Sequence, residues 1–165
     1  MKQLMIIGTD TDVGKTYVSG LILKKLHENG KKAAYFKAAM SGNIRLSDGS
    51  LLPGDADFVK TISGISQSLG DMCPYVYETA VSPHLAAKIE GNPIEWEKIQ
   101  ETYDILCGTY DFVTVEGSGG ILCPLRHDET AAFSLADFVI SQHLSCLLVA
   151  DAGLGTLNHV GLTAA

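Results

Sequence analysis

Apolar residues fall along the chain in two rhythms, and the two alternate. Leu4-Met5-Ile6-Ile7 is a continuous apolar run of strand length. Val18, Leu21, Ile22 and Leu26 follow at helical spacing, predicting a helix from about Lys15 to Glu28 that Asn29-Gly30 stops. Ala33-Ala34-Tyr35-Phe36 predicts a second strand ending at Lys37, and strand-helix-strand at this length is a βαβ unit with parallel strands. That unit sets the strand of Lys37 beside the first strand. Residues 38–54 are rich in Ser, Gly, Asn and Pro and predict a loop, and Asp55-Ala56-Asp57 opens a short helix over Phe58–Ile62. The stretch 63–77 has no clear period. Ser82-Pro83-His84 starts a helix that Gly91-Asn92-Pro93 breaks. Ile99, Tyr103 and Leu106 share a face of a helix over Ile94–Leu106. Phe112–Val115 predicts a third strand ending at Glu116, and Gly117-Ser118-Gly119-Gly120 a flexible loop. Ser134–Gln142 predicts a helix, Cys146–Ala150 a fourth strand ending at Asp151, and Val160–Ala165 the opening of another helix. The alternation predicts one α/β domain with a doubly wound, mostly parallel sheet.

Composition narrows the function classes. With 165 residues, 46% hydrophobic and 19% charged, the chain can bury a sizeable core. A formal net charge of -7 argues against general affinity for nucleic acid or anionic membranes. No apolar stretch is long enough to span a bilayer, and the first residues do not form a secretory leader. Cys73, Cys107, Cys123 and Cys146 form no C-x-x-C pair and no zinc spacing, so they read as reduced structural thiols of a cytoplasmic protein.

The loop between the first strand and helix carries the strongest chemistry. Gly8-Thr-Asp-Thr-Asp-Val-Gly-Lys-Thr16 fits G-x-x-x-x-G-K-[ST], in the strand-to-helix context that a phosphate-binding loop needs. The backbone of Thr11, Asp12, Val13, Gly14, Lys15, Thr16 and Tyr17 forms the expected cradle for ATP phosphates. Lys15 would reach the outer phosphates, and the Thr16 hydroxyl Mg²⁺. Asp10 and Asp12 oppose an anion and suit a substrate amine or the metal's water shell instead. Glu116, ending an apolar strand in such a protein, is a candidate Mg²⁺ ligand. Asp55 has the same candidate role beside a helix-cap alternative, with Asp57 as fallback. Lys37 supplies a second cation at the strand edge where open α/β sheets bind ligands. His84 fits a surface or capping role as well as a catalytic one. Gly153-Leu-Gly-Thr-Leu-Asn158 is a second Gly-rich strand-to-helix turn, able to offer N–H groups to an anion.

Taken together, these motifs resemble the dethiobiotin synthetase family of P-loop enzymes. The likeness runs through residues 8–16, Tyr35-Phe36-Lys37 with Ser41-Gly42, Gly54-Asp-Ala-Asp57, Ser82-Pro-His84, Val115-Glu-Gly-Ser-Gly-Gly120 and the 153–159 turn. It implies ATP-dependent carboxylation of 7,8-diaminononanoate by CO2, through a carbamate and a carbamic-phosphoric anhydride, with closure of the ureido ring. It further implies Lys15 and Lys37 as catalytic cations and Thr16, Asp55 and Glu116 as Mg²⁺ ligands. Thr11, Ser41, Gly155, Thr156, Leu157 and Asn158 would be substrate contacts, the last four from the partner subunit of a homodimer. After Lys37 the chain reads Ala-Ala-Met-Ser-Gly, where the family pattern has Pro and a small residue. The resemblance also implies further elements after Ala165, including the adenine-recognising segment, so the domain is expected to be C-terminally truncated. Two alternatives stand beside it: another carboxylate-activating P-loop synthetase, and a partitioning-type ATPase switch. The switch class usually has an extra Lys early in the loop, where this chain has Thr9 and Asp10.

Overall fold

The computed structural model describes residues 2–165. Its central sheet has four parallel strands in the order β2-β5-β1-β8: Ala33–Phe36, Phe112–Gly120, Lys2–Gly8 and Cys146–Val149. Seven helices join and cover them: α1 (Lys15–Glu28), α2 (Gly54–Ser63), α3 (Leu69–Met72), α4 (Pro83–Ile89), α5 (Trp96–Thr109), α6 (Leu135–Ser141) and α7 (Thr156–Ala164). Two small hairpins complete the described residues, β3–β4 (Ile44–Arg45 with Leu51–Leu52) and β6–β7 (Pro124–His127 with Ala132–Ser134).

Alternate residues of each buried strand feed opposite faces of the sheet. Phe36, on β2, packs with Tyr103 of α5 and Phe138 of α6, the ring centroids lying 5.5 and 6.1 Å away. Its neighbour Tyr35 points the other way, into a cluster with Leu23 of α1, Val59 of α2 and Met72 of α3. Helices therefore cover both faces, as expected for a doubly wound sheet.

The sheet order corrects one expectation. β2 does not lie beside β1; β5 separates them, pairing Ile6 with Glu116 on one side and Phe36 with Val115 on the other. A βαβ crossover fixes strand direction, not adjacency. Val113, Thr114, Val115, Glu116 and Gly117 are all buried, which suits β5 to the interior slot. A second correction concerns residues 117–120, which are strand, with Gly8 paired to Gly120 after a register shift. At Gly117 a Cβ would meet Leu135 Cδ2 at 2.5 Å, so the glycine permits close packing of α6 rather than a loose loop.

Smaller differences are local. The 38–54 loop contains the β3–β4 hairpin, which turns at Gly49 with φ 85°. The 63–77 stretch holds α3, capped by the Ser68 hydroxyl. The helix expected over Ile94–Leu106 runs Trp96–Thr109, and Ser82 precedes α4 without a side-chain capping bond. All four cysteines are free thiols, and among the described residues no helix is long and apolar enough to cross a membrane.

Candidate active site

The phosphate-binding loop leaves β1 at Gly8 and enters α1 through Gly14, whose φ of 99° is left-handed and favours glycine. Lys15 is buried, and its Nζ donates to the carbonyl of Asp10 at 2.5 Å. The Asp10 carboxylate is turned onto the loop itself, accepting the Thr11 N–H at 2.7 Å. Burial, followed by the charge of Lys37, lowers the pKa of Lys15. A buried ammonium whose bonded partner is a neutral carbonyl is set to receive an anion.

Glu116 organises the neighbouring polar cluster. Its carboxylate is almost wholly buried, and Oε1 accepts from Thr16 Oγ1 at 2.8 Å and from Lys37 Nζ at 2.9 Å. Oε2 accepts from Ser19 Oγ at 2.8 Å. Lys37 Nζ also donates to Asp55 Oδ2 at 2.6 Å. Burial alone would push the Lys37 pKa down, but Glu116 and Asp55 outweigh it and hold the ammonium charged, above its ordinary range. Asp55 reaches this cluster from the first turn of α2, where Pro53, not Asp55, is the cap. Asp57 shares that turn but lines no part of the site.

Two clefts meet here. One, of about 440 Å³, is lined by Gly14, Lys15, Thr16, Tyr17 and Phe58 together with Glu116. The other, of about 610 Å³, is lined by Met40, Ser41, Val81, Pro83, Ser118 and Cys123 among others. Thr11, Asp12, Lys37, Asp55 and Gly119 line both. Ser41 donates its hydroxyl to the Val81 carbonyl at 2.5 Å. Val13 lines neither cleft; its side chain turns back toward Gly8. Gly155, Thr156, Leu157 and Asn158 also line neither, and Leu157 is exposed at the start of α7. His84 stands outside both clefts, its Nδ1 buried without a hydrogen-bond partner.

The profile of the AAA domain family matches residues 2–165. The chain is 50% identical over 160 residues to the ATP-dependent dethiobiotin synthetase BioD of Clostridium novyi, an alignment covering 97% of this chain and 67% of that protein. Identity to the protein of the same name from Clostridium perfringens strain 13 is 46% over 162 residues, covering 98% and 70%. For Brachyspira hyodysenteriae the figures are 43% over 162 residues, 98% and 71%. The chain belongs to the ATP-dependent dethiobiotin synthetase family. It spans about two thirds of the length of these relatives.

Ser19 and Cys123 are among the residues of this site that sequence did not single out, as are Phe58 and Val81. Ser19 is polar, fully buried and one helical turn beyond Lys15, a spacing that places both on one side of α1. Cys123 reads as a small apolar residue but lines the second cleft. Its thiol pKa is raised by burial, against the opposing pull of Lys15 and Lys37. Among the described residues no three His, Cys, Asp or Glu side chains cluster as a ready metal site. The Asp55 and Glu116 carboxylates, which both accept from Lys37, and the Thr16 hydroxyl, which donates to Glu116, are the hard-oxygen set available there.

Proposed function

We propose that this chain forms dethiobiotin from 7,8-diaminononanoate, CO2 and ATP, working as a homodimer with Mg²⁺. One observation carries the reading: a phosphate-loop cleft and a second, partly apolar cleft open into each other across Lys37, Asp55, Thr11, Asp12 and Gly119. The first suits ATP phosphates and the second a diamine with an aliphatic chain. Names of relatives similar over nearly the whole chain support the same reading.

The residues then divide the work. The loop backbone and Lys15 hold the β- and γ-phosphates, and the phosphate charge offsets what burial costs the Lys15 ammonium. Thr11 and Ser41 orient the diamine in the second cleft, with the Asp12 carboxylate facing an amine. One amine adds to CO2 and loses a proton, giving a carbamate. A carbamate oxygen attacks the γ-phosphorus and ADP leaves; Lys37, at the junction of the clefts, stabilises the negative charge gathered there. The second amine attacks the carbonyl carbon, phosphate departs, and the ring closes. Thr16, Asp55 and Glu116 fit Mg²⁺ by donor type, two carboxylates joined through Lys37 and a hydroxyl bonded to Glu116. Mg²⁺ bound there would neutralise phosphate charge. The 153–158 turn of the second subunit would hold the substrate carboxylate on its N–H groups.

Incubation with ATP, diaminononanoate and ¹³C-bicarbonate tests the reading. It expects diamine-dependent ADP release and a product carrying the labelled carbon. ATP hydrolysis indifferent to the diamine would reject it.

A further inference from the structure

Ser19 sits on α1 one turn after Lys15 and is fully buried. Its Oγ lies 2.9 Å from the Lys15 carbonyl and 2.8 Å from Glu116 Oε2. A serine within a helix commonly spends its hydroxyl on the carbonyl four residues back. Here the one hydroxyl hydrogen also faces a carboxylate across the sheet edge, and a charged acceptor makes the stronger bond.

The geometry points to Ser19 as a positioning residue that fixes the Glu116 carboxylate for Mg²⁺ in the nucleotide complex. The proposal rests on the reading of Glu116 as a metal ligand. Glu116 has two oxygens with different tasks. Oε1 faces Thr16 and Lys37, toward the phosphate cleft. Oε2 faces inward and meets Ser19. The terminal torsion of a glutamate is soft and roughly two-fold, so the chain up to Cδ does not by itself set the carboxylate plane. Three bonds set it, from Thr16 and Lys37 at Oε1 and from Ser19 at Oε2, and only the Ser19 bond lies away from the oxygen that Mg²⁺ would take. Ser19 also touches the main chain of Lys15, so the same hydroxyl ties the carboxylate to the first turn of the helix that carries Lys15 and Thr16. Mg²⁺ demands near-ideal octahedral placement of its oxygens, which makes it sensitive to a carboxylate free to turn. Partners that orient metal ligands without touching the metal typically matter by tenfold or more.

The test is titration of Mn²⁺, followed by its electron paramagnetic resonance signal, in the presence of a non-hydrolysable ATP analogue. Wild type, Ser19→Ala, Glu116→Gln and the double variant are compared, with folding checked by circular dichroism. Ser19→Ala should weaken Mn²⁺ binding about tenfold. Its affinity for the analogue in EDTA should stay at the wild-type value, because the loop and Lys15 are intact. The double variant should bind Mn²⁺ no more weakly than Glu116→Gln alone, since Ser19 acts through that carboxylate. If alanine prevents folding, Ser19→Cys, close in volume and a weak donor, carries the same expectation. Wild-type Mn²⁺ affinity in Ser19→Ala, with Glu116→Gln clearly weakened, overturns the positioning role and leaves the metal reading standing. Unweakened binding in Glu116→Gln rejects the metal reading itself. A lowered melting temperature in Ser19→Ala with unchanged Mn²⁺ affinity would assign Ser19 to packing alone, and also overturns the proposal.

Discussion

Lys37 Nζ lies 2.9 Å from Glu116 Oε1, the same oxygen that accepts the Thr16 hydroxyl. The ammonium thus occupies the place among the carboxylates that a divalent cation would compete for. Two of its three N–H donors are spent on Asp55 and Glu116, and Lys37 still lines both clefts.

Lys37→Gln should therefore lower kcat by about a hundredfold or more, with a smaller effect on the diamine KM, because charge at the cleft junction peaks in the transition state. It should also destabilise the free protein by about 3–5 kcal/mol, the usual result of leaving a buried carboxylate unpaired. Mg²⁺ should recover part of that loss, raising the Tm of the variant more than that of the wild type. A raised KM at normal kcat would make Lys37 a binding group only.

Lys15 should give nucleotide affinity an alkaline limb. Its pKa is lowered from an ordinary 10.5 in the free protein. The protonated form that holds phosphate is therefore lost before pH 10.5 as pH rises, and restoring it on binding requires proton uptake. ADP affinity measured without Mg²⁺ should fall as pH climbs toward 10.5, and Lys15→Ala should bind weakly with that limb absent. The stability signs oppose each other. Lowering at Lys15 destabilises the folded state at neutral pH and is relieved as pH rises through its folded pKa. Raising at Lys37 stabilises fully below 10.5 and is lost as pH rises through its own folded value.

Asp55 and Asp57 should separate cleanly. Both stand in the first turn of α2, but only Asp55 bonds Lys37 and lines the clefts. Asp55→Asn should raise the Mg²⁺ concentration needed for half-maximal activity, and Asp57→Asn should leave it unchanged. The reverse outcome would move the metal site along the helix.

The 153–158 turn should complement between subunits. Gly155 is left-handed, φ 94°, so Gly155→Asp strains the turn as well as adding a negative charge. Chains carrying Lys15→Ala and Gly155→Asp, each inactive alone, should regain part of the activity when mixed. No recovery in demonstrated heterodimers would place the whole site within one chain.

Sequence pointed to the phosphate loop, both lysines, Asp55 and Glu116, each at a strand or helix boundary marked by Gly, Pro or a sudden charge, and the structure gathers them at one pair of clefts. The sequence concealed sheet order. A parallel crossover allows β2 to lie next to β1 or one strand away, and burial does not decide between them, since the edge strand β2 is buried along its whole length too. The glycines at 117–120 carry the low strand propensity of their type, overridden by Leu135 and Met5 packing on Gly117. Ser19 was hidden because a lone serine in an amphipathic helix resembles an ordinary solvent-facing residue; its acceptor is 97 positions away.

The placement of β5 between β1 and β2 also dictates the order of events during synthesis. The two N-terminal strands emerge first, yet they share no direct pairing, and the strand that joins them ends at Gly120. Until then each presents an unpaired edge, the kind of surface that invites wrong pairing. Closing contacts this far apart in sequence is intrinsically slow. Glu116 arrives on the same late strand, so a nascent chain carrying a finished phosphate loop still lacks the carboxylate at its centre. The carboxylate cluster beside the phosphate loop is therefore finished only once β5 has paired with both β1 and β2, and β8 closes the sheet later still.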